Sequence, residues 1–514
     1  MAEAYLVGGG VAALAAAAFL IRDGGFDGED IHLFEERRRI GGSLDTDGTA
    51  DTGGAPTARV MPAAEYPCTH DLFSAIPSPD DPGVSVAQRM SAGRGDSAPG
   101  DVARLVGGDG RIVGTRSMGF TERDRLELVR CLATPERHLD GRRIGDCFGE
   151  HFFTTTFWFL WSSTFAFQPW HSAIEFRRSL RRFLHLFPEL PSLSGVYRAR
   201  RDAYGFLVRP LTDWLLAHGV TLHTGCHVTD LGLAPGRART RVERIHLSRD
   251  GRDERIEVAR GDLVLVTLGS LTDAAGHGSH TAAPPPRPHR SDAWLLWHRL
   301  ARGRDDFGDP AVFDKHIKES RFASFTVTTG DPAFRTALER CAGGEGGRLT
   351  FTASNWLLTI AAGPGRPEGV TWWGYALRPG RAGDHTPKPM TMCSGREILD
   401  EVLHHLPLDA SLAARVRETS TVVPCLMPYV TSPLLARRRD DRPAVVPEGS
   451  VNLAFIGQFA EVPDDVTFTV EYSVRTARTA VAGLLGLDAR PPAVHKAHRD
   501  PRVLAAAVET MHQR

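Results

Sequence analysis

The stretch Ala4-Tyr5-Leu6-Val7-Gly8-Gly9-Gly10-Val11-Ala12-Ala13, followed at Asp30 to Glu35 by DIHLFE, decides the reading of this chain. AYLV is a short apolar run that reads as a buried strand, Gly8 to Ala13 as a tight turn, and Ala12 to Arg22 as a helix rich in small residues. DIHLFE reads as a second strand ending in an acid. In the pattern G-x-G-x-x-A, Gly8 and Gly10 let backbone approach a pyrophosphate, Ala13 permits close helix packing, and the helix N-terminus faces the anion. Glu35 stands at a strand end, where its carboxylate can accept ribose hydroxyls. A glycine motif alone is weak evidence. Strand, turn, helix, strand and acid in this order are strong, and they describe a Rossmann-type dinucleotide unit.

Working outward, Gly41-Gly42-Ser43 follows the acid closely, as in many flavoproteins, so FAD is expected rather than NAD. Asp262 to Ser270 (DLVLVTLGS) is an apolar strand closing on Gly269, and Val451 to Phe459 (VNLAFIGQF) is a buried strand that brings Gly457 and Gln458 back to the cofactor. Phe468 and Thr469, ahead of the closing helix TVEYSVRTARTAVAGLLGL, complete the candidate cofactor set.

The bulk properties narrow the function. With 514 residues, 42% hydrophobic and 24% charged, the chain is too long for one core, and two or three domains are expected. A net charge of −1 provides no global field to attract nucleic acid. Lysine occurs only at 315, 318, 388 and 496, a compositional bias without functional weight. Seven scattered cysteines without a C-x-x-C pair suit a reducing compartment and argue against a disulfide framework or a zinc site. The N-terminus begins directly on a strand, without a signal-like segment, and Val11 to Ile21 falls short of the ~20 residues of a membrane span, so a cytoplasmic enzyme is expected.

Ser43 to Pro56 and Pro77 to Asp109 read as loops. Phe152 to Phe187 is dense in aromatics and has the composition of a buried apolar chamber, while Leu207 to His218 reads as an amphipathic helix. GVTLHTGCHVTDL reads as a strand pair, and 293 to 430 as a second α+β layer. His171 and Glu175 stand at i and i+4; without a third ligand, a structural hydrogen bond is expected and no metal.

Several blocks together resemble one family, the flavin-dependent oleate (fatty acid) hydratases, also called myosin-cross-reactive antigens. They are VGGGVAALAAAAFLIRDG, LFEE with GGSLD, CTHDLFSAIPS, FWFLWSSTFAFQPWHSAIEFRR, SNWLLTI, WWGYALRP and DRPAVVPEGSVNLAFIGQFAEVPDDVTFTVEYSVRTA, running from residue 4 to about 485. The resemblance implies water addition across a double bond of an unsaturated fatty acid or acyl-like polyene, with no net redox change and with FAD largely a structural and electrostatic partner. It implies a Rossmann-type FAD-binding domain (1–75, 196–275 and 440–485), an inserted α+β substrate domain (76–195 and 276–439) and a helical C-terminal tail (486–514).

Residue by residue, the resemblance puts the family's proton-donating tyrosine at Tyr204, although the Asn/Gln pair of its motif is lost in DAYGFLVRP. Phenols titrate near ~10 and are protonated at neutral pH. The family's water-activating loop falls on APTARVM: Arg59 is retained, Met61 or Val60 stands where the base belongs, and Glu65 is the nearest carboxylate. A thioether is no base, which keeps a double-bond isomerase and a silent flavin or lipid binder open as alternatives. Thr431 and Arg437 fall on the segment that holds the fatty acid carboxylate, and Trp161, Phe165 and Trp170 on the wall of an acyl tunnel. A monomer or homodimer is implied, with peripheral membrane contact through the short amphipathic helix expected at Asp500 to Arg514.

Overall fold

A computed structural model describes residues 2–45, 57–60, 64–92, 102–192, 197–235, 239–285, 290–344, 346–366 and 369–513. Five strands form an all-parallel sheet in the order Leu453–Ile456, Leu263–Thr267, Ala4–Val7, Ile31–Glu35, Thr221–Thr224. The three central strands are buried almost throughout, as expected of a parallel sheet covered on both faces, and this is why they appear in sequence as continuous apolar runs. The first crossover is the helix Val11–Arg22, whose residues Ala12 to Leu20 are all buried. Its alanines let the helix lie close to the sheet and to the closing helix Val470–Leu485. The fold is therefore α/β of the Rossmann type, with an α+β insertion and a helical tail.

The segment GVTLHTGCHVTDL divides between two sheets, which corrects the expectation of a strand pair. Thr221–Thr224 completes the parallel sheet. Cys226–Leu233 instead pairs antiparallel with Val242–Arg249, which pairs with Arg252–Glu257.

The inserted unit is built on an eight-stranded sheet that includes Ser420–Met427, Phe322–Thr329, Gly369–Ala376, Leu358–Arg366 and Arg348–Phe351 as consecutive neighbours. Strand parity sorts its residues. Phe325, Val327, Trp372, Ile360 and Leu349 pack on the helices Pro332–Ala342 and Gly395–His405. Their alternates Phe322, Trp373, Tyr375, Ala361 and Arg348 stand on the opposite face.

The helix Pro501–His512 is capped by Asp500, whose carboxylate accepts from Arg502 N at 2.8 Å, and buries Ala507, Thr510 and Met511. Among the described residues no helix is long and apolar enough to cross a membrane.

A sealed ion network joins the insertion to the parallel sheet. Arg437 Nε donates to Glu175 Oε1 at 2.8 Å and its Nη2 to Glu461 Oε2 at 3.0 Å; Arg442 Nη1 donates to Glu175 at 3.0 Å; Arg178 Nη2 donates to Glu461 at 2.7 Å and Glu136 at 2.8 Å. Burial alone would raise the pKa of Glu175, but Arg442, Arg437 and Arg178 outweigh it and hold that carboxyl down at about 2. A carboxylate depressed in the fold contributes stability that is present above its unfolded pKa near ~4.3 and is lost as pH falls toward 2. Removing one member leaves a buried charge uncompensated. Arg437→Ala is therefore expected to lower unfolding free energy by about 3–5 kcal/mol, read by urea denaturation at neutral pH, with the difference from wild type shrinking as the medium is acidified through that window.

Candidate functional site

The glycine turn between the first strand and the first helix lines a cavity of about 120 Å³. Gly8 N donates to Phe34 O at 2.8 Å, tying the turn to the second strand. Glu35 is buried, with Oε2 accepting from Gly9 N at 2.6 Å and Oε1 from Arg37 N at 2.9 Å. Burial drives its pKa upward, opposed by those two backbone donors. Gly10 caps the helix without any side-chain acceptor, and no acid occupies the first turn, so the helix N-terminus presents uncapped N–H groups to the cavity.

The second glycine pair folds back onto this turn. Gly41 N donates to Gly9 O at 2.9 Å, and Gly41 bridges Gly10. At Gly42, φ is +56°, and a Cβ would lie 2.8 Å from Gly10 Cα, so close backbone approach requires glycine there. Gly10 differs: its φ of −80° suits any residue, and a Cβ would meet only Gly42 Cα at 3.8 Å. The chain's own packing gives no reason for that glycine. A diphosphate laid on the helix N-terminus does, and the Glu35 carboxylate at the strand end completes a cradle that fits a dinucleotide such as FAD.

Beside this cavity lies a larger chamber of about 470 Å³. Val11, Ser43, Leu271, Gln458 and Ser473 line both, so the chamber adjoins the nucleotide cavity. Its far wall is the open face of the eight-stranded sheet, where Phe322, Tyr375 and Trp373 stack in a row with centroids 5.3 and 5.5 Å apart. Gln458 fixes the loop at its rim: Nε2 donates to Thr469 O and Ser473 Oγ, and Oε1 accepts from Phe468 N.

Tyr204 lines neither space itself but stands against Gly41, beside Gly42 and Ser43 of the nucleotide cavity. It opens a π-turn, Tyr204–Val208, in which Arg209 N donates back to Tyr204 O. The ring edge lies 3.1 Å from the Cβ position at Gly41, the Arg39 guanidinium sits 5.1 Å from its centroid, and the adjacent Ala203 and Leu207 line the chamber. The amphipathic helix expected from Leu207 begins as an α-helix only at Arg209.

The family model described as MCRA family matches residues 1–482. The chain belongs to the MCRA family. It is 36% identical over 501 residues to an oleate hydratase of Streptococcus pyogenes serotype M49 (strain NZ131), covering 94% of this chain and 85% of that one. It is 29% identical over 561 residues to a linoleate hydratase of Lactiplantibacillus plantarum, covering 99% and 98%. In fold it resembles cyclohexylamine oxidase from Brevibacterium oxydans IH-35A, with a TM-score of 0.53 at 13% identity, 94% of this chain and 99% of that one being covered.

Within this MCRA chain the structure brings together Gly8, Gly10, Glu35, Ser43, Gly269, Gly457 and Gln458 around the nucleotide cavity, and Phe468 and Thr469 at the chamber. Ala13 is fully buried in its helix and lines neither space. Several other expected residues are elsewhere. Arg437 is 1% exposed inside the ion network, engaged by Glu175 and Glu461, and so is not available to a fatty acid. Thr431 Oγ1 donates to Ser320 O at 3.0 Å, and it is the neighbouring Val430 that faces the chamber.

The aromatic block is core, not tunnel wall. Trp161 is completely buried and stacks near Phe165, which stacks on Phe183 at 5.2 Å, and Trp170 Nε1 donates to Glu319 O. The helix Thr156–Phe165 meets the chamber only through its small C-terminal residues Ser163 and Thr164. Glu65 faces His185 at 3.1 Å and lines neither cavity. Thr57–Val60, with Arg59, pairs with Tyr197–Asp202, the strand that leads into the Tyr204 turn; Met61 lies outside the described residues. His171 and Glu175 do not bond each other: His171 Nδ1 accepts from Gln168 N, and burial pushes its pKa down to about 3.

Among the described residues two groups have ligand atoms close enough for a metal, Glu36-His227-Asp292 and Asp384-Glu401-His405. Their carboxylates are already engaged, Asp292 by His227 and Glu401 by the N–H groups of Asp384, His385 and Thr386.

Because the fold itself tolerates a methyl at position 10, Gly10→Ala is expected to leave the thermal midpoint of the flavin-free protein unchanged while weakening FAD binding about tenfold or more, measured by titration of flavin fluorescence.

Proposed function

We propose that this chain binds FAD and adds water across a carbon–carbon double bond of an unsaturated fatty acid. The observation that carries the reading is an apolar chamber sharing Val11, Ser43, Leu271, Gln458 and Ser473 with the dinucleotide cradle, with Tyr204 packed on Gly41 between the chamber residues Ala203 and Leu207 and the second glycine turn. The names of the two hydratases, which align over nearly the whole of this chain, favour a long olefinic acid as the occupant. Stacked rings on the sheet face suit a long apolar chain and exclude bulk water from it.

Hydration needs a proton at one olefinic carbon and a hydroxyl at the other. Tyr204 supplies the proton from its hydroxyl. Water adds its oxygen to the second carbon, and its surplus proton restores the phenol, so atoms and charge balance with no electron transfer. Holding the alkene beside the phenol converts an encounter in solution into a positioned reaction. Arg39 above the Tyr204 ring adds a cation–π contact that fixes the ring and favours the transient phenolate. FAD, held by the glycine turn and Glu35, would supply a fixed charge distribution beside the chamber. Gln458, by holding the Phe468–Thr469 loop, keeps that side of the chamber closed.

Incubation of the FAD-loaded protein with oleate is expected to give a product heavier by one water, detected by mass spectrometry. Tyr204→Phe is expected to reduce the rate by roughly 10²–10⁴-fold while FAD binding is kept. Unchanged oleate, or a product isomerised without added oxygen, overturns hydration; an undiminished Phe variant overturns the role of Tyr204.

A further inference from the structure

The chamber contains one charge with no internal partner. Arg348 begins the strand Arg348–Phe351 and lines the chamber, yet it is only 4% exposed. Its Nη2 is buried without a hydrogen-bond partner, and among the described residues no carboxylate lies within ion-pairing distance of its guanidinium. Strand parity explains its direction. Leu349 and Phe351 turn into the helix-covered core, so Arg348 turns to the open face. It pairs in register with Ala361, and Ala361 with Trp373, placing the three side chains in one row across the chamber wall.

The other deeply buried arginines among the described residues are ion-paired. Arg178, Arg437 and Arg442 share Glu175 and Glu461. An uncompensated guanidinium in such a setting is costly, and a bound anion would complete it. The shape of the site selects the anion. Chamber residues lie on five consecutive strands, Met427, Phe322, Trp373, Ala361 and Arg348, a span of about 19 Å at the usual strand spacing. Arg348 is at one end of that span. It does not line the nucleotide cavity, whereas Val11 and Ser43 line both spaces. An anion on Arg348 with a long apolar tail therefore reaches along the sheet away from it, and the planar fork of the guanidinium matches a carboxylate.

We propose that Arg348 is the carboxylate anchor of the chamber, a binding residue that sets how far along the chain the double bond comes to rest beside Tyr204. This rests on the reading that the chamber takes a fatty acid, but it is tested separately from hydration. The probes are oleate and oleyl alcohol, of equal chain and different head group, titrated calorimetrically into the FAD-loaded protein and its Arg348→Met and Arg348→Lys variants. Wild type is expected to bind oleate tightly and the alcohol more weakly. Arg348→Met is expected to lose oleate affinity roughly thirtyfold or more, to bind the alcohol as wild type does, and to melt no lower than wild type because no internal ion pair is broken. Arg348→Lys, with the charge but not the fork, is expected to fall between.

Equal oleate binding by wild type and Arg348→Met overturns the anchor. So does parallel loss of both ligands together with a lowered melting temperature, which marks a structural arginine. Arginine-dependent oleate binding without any hydrated product supports the anchor and removes only the hydratase reading.

Discussion

The close approach of two glycine turns governs this architecture. Gly41 and Gly42 can lie against Gly9 and Gly10 only because position 42 carries no side chain, and the resulting bridge fixes the segment through Ser43 and Leu44 over the start of the first helix. Val11 and Ser43 thereby become wall residues of both cavities. The same bridge places Gly41 under the Tyr204 ring. A dinucleotide cradle, an apolar chamber and a phenol are thus coupled through one backbone contact. A side chain at position 42 would push the second turn away and separate all three.

The dinucleotide half of the protein was legible because its signals are local. Buried parallel strands appear as apolar runs, the crossover helix as a run of small residues, and the acid at the second strand end as Glu35. The substrate half was not, because its features depend on which way a strand or helix is turned. FWFLWSSTFAF contains the most aromatic composition in the chain, yet burial is settled by neighbours. Trp158 and Trp161 turn into a cluster with Phe176, whereas the chamber receives Ser163, Thr164 and Ala166. WWGYAL carries the useful signal: Trp372 and Trp373 are adjacent, one in the helix-covered core and one on the chamber. RLTF alternates in the same way, with Leu349 and Phe351 in the helix-covered core and Arg348 on the chamber. An arginine on a strand whose alternate residues are apolar must either leave the sheet edge or face a cavity, and composition alone does not separate these.

Arg437 shows the complementary failure. Its alignment with a carboxylate-holding segment is a statement about sequence position, whereas its availability depends on Glu175, 262 residues away, and Glu461, 24 residues away. Ion-pair partners with large sequence separation are invisible to local pattern. The network also has a mechanical consequence, since Arg178 and Glu175 belong to the helix Ala173–Arg182 while Glu461 follows the last strand of the parallel sheet. The aromatic core of the insertion is thereby locked to the cofactor-binding layer, and the chamber between them keeps its shape.

The turn carrying Tyr204 follows from proline chemistry. Pro210 has no N–H to return to the carbonyl four residues earlier, and its ring crowds that carbonyl, so a regular α-helix cannot run through DAYGFLVRP. The chain instead widens by one residue, with Arg209 N donating to Tyr204 O, and resumes as an α-helix at Arg209. Ala203 and Leu207 line the chamber, and the Tyr204 ring packs on Gly41. In a regular helix, residues 203 and 207 share a face one turn apart and residue 204 is rotated by about 100° from 203. The proline six residues beyond Tyr204 is therefore part of what shapes the turn that carries the proposed proton donor, although it lines neither cavity.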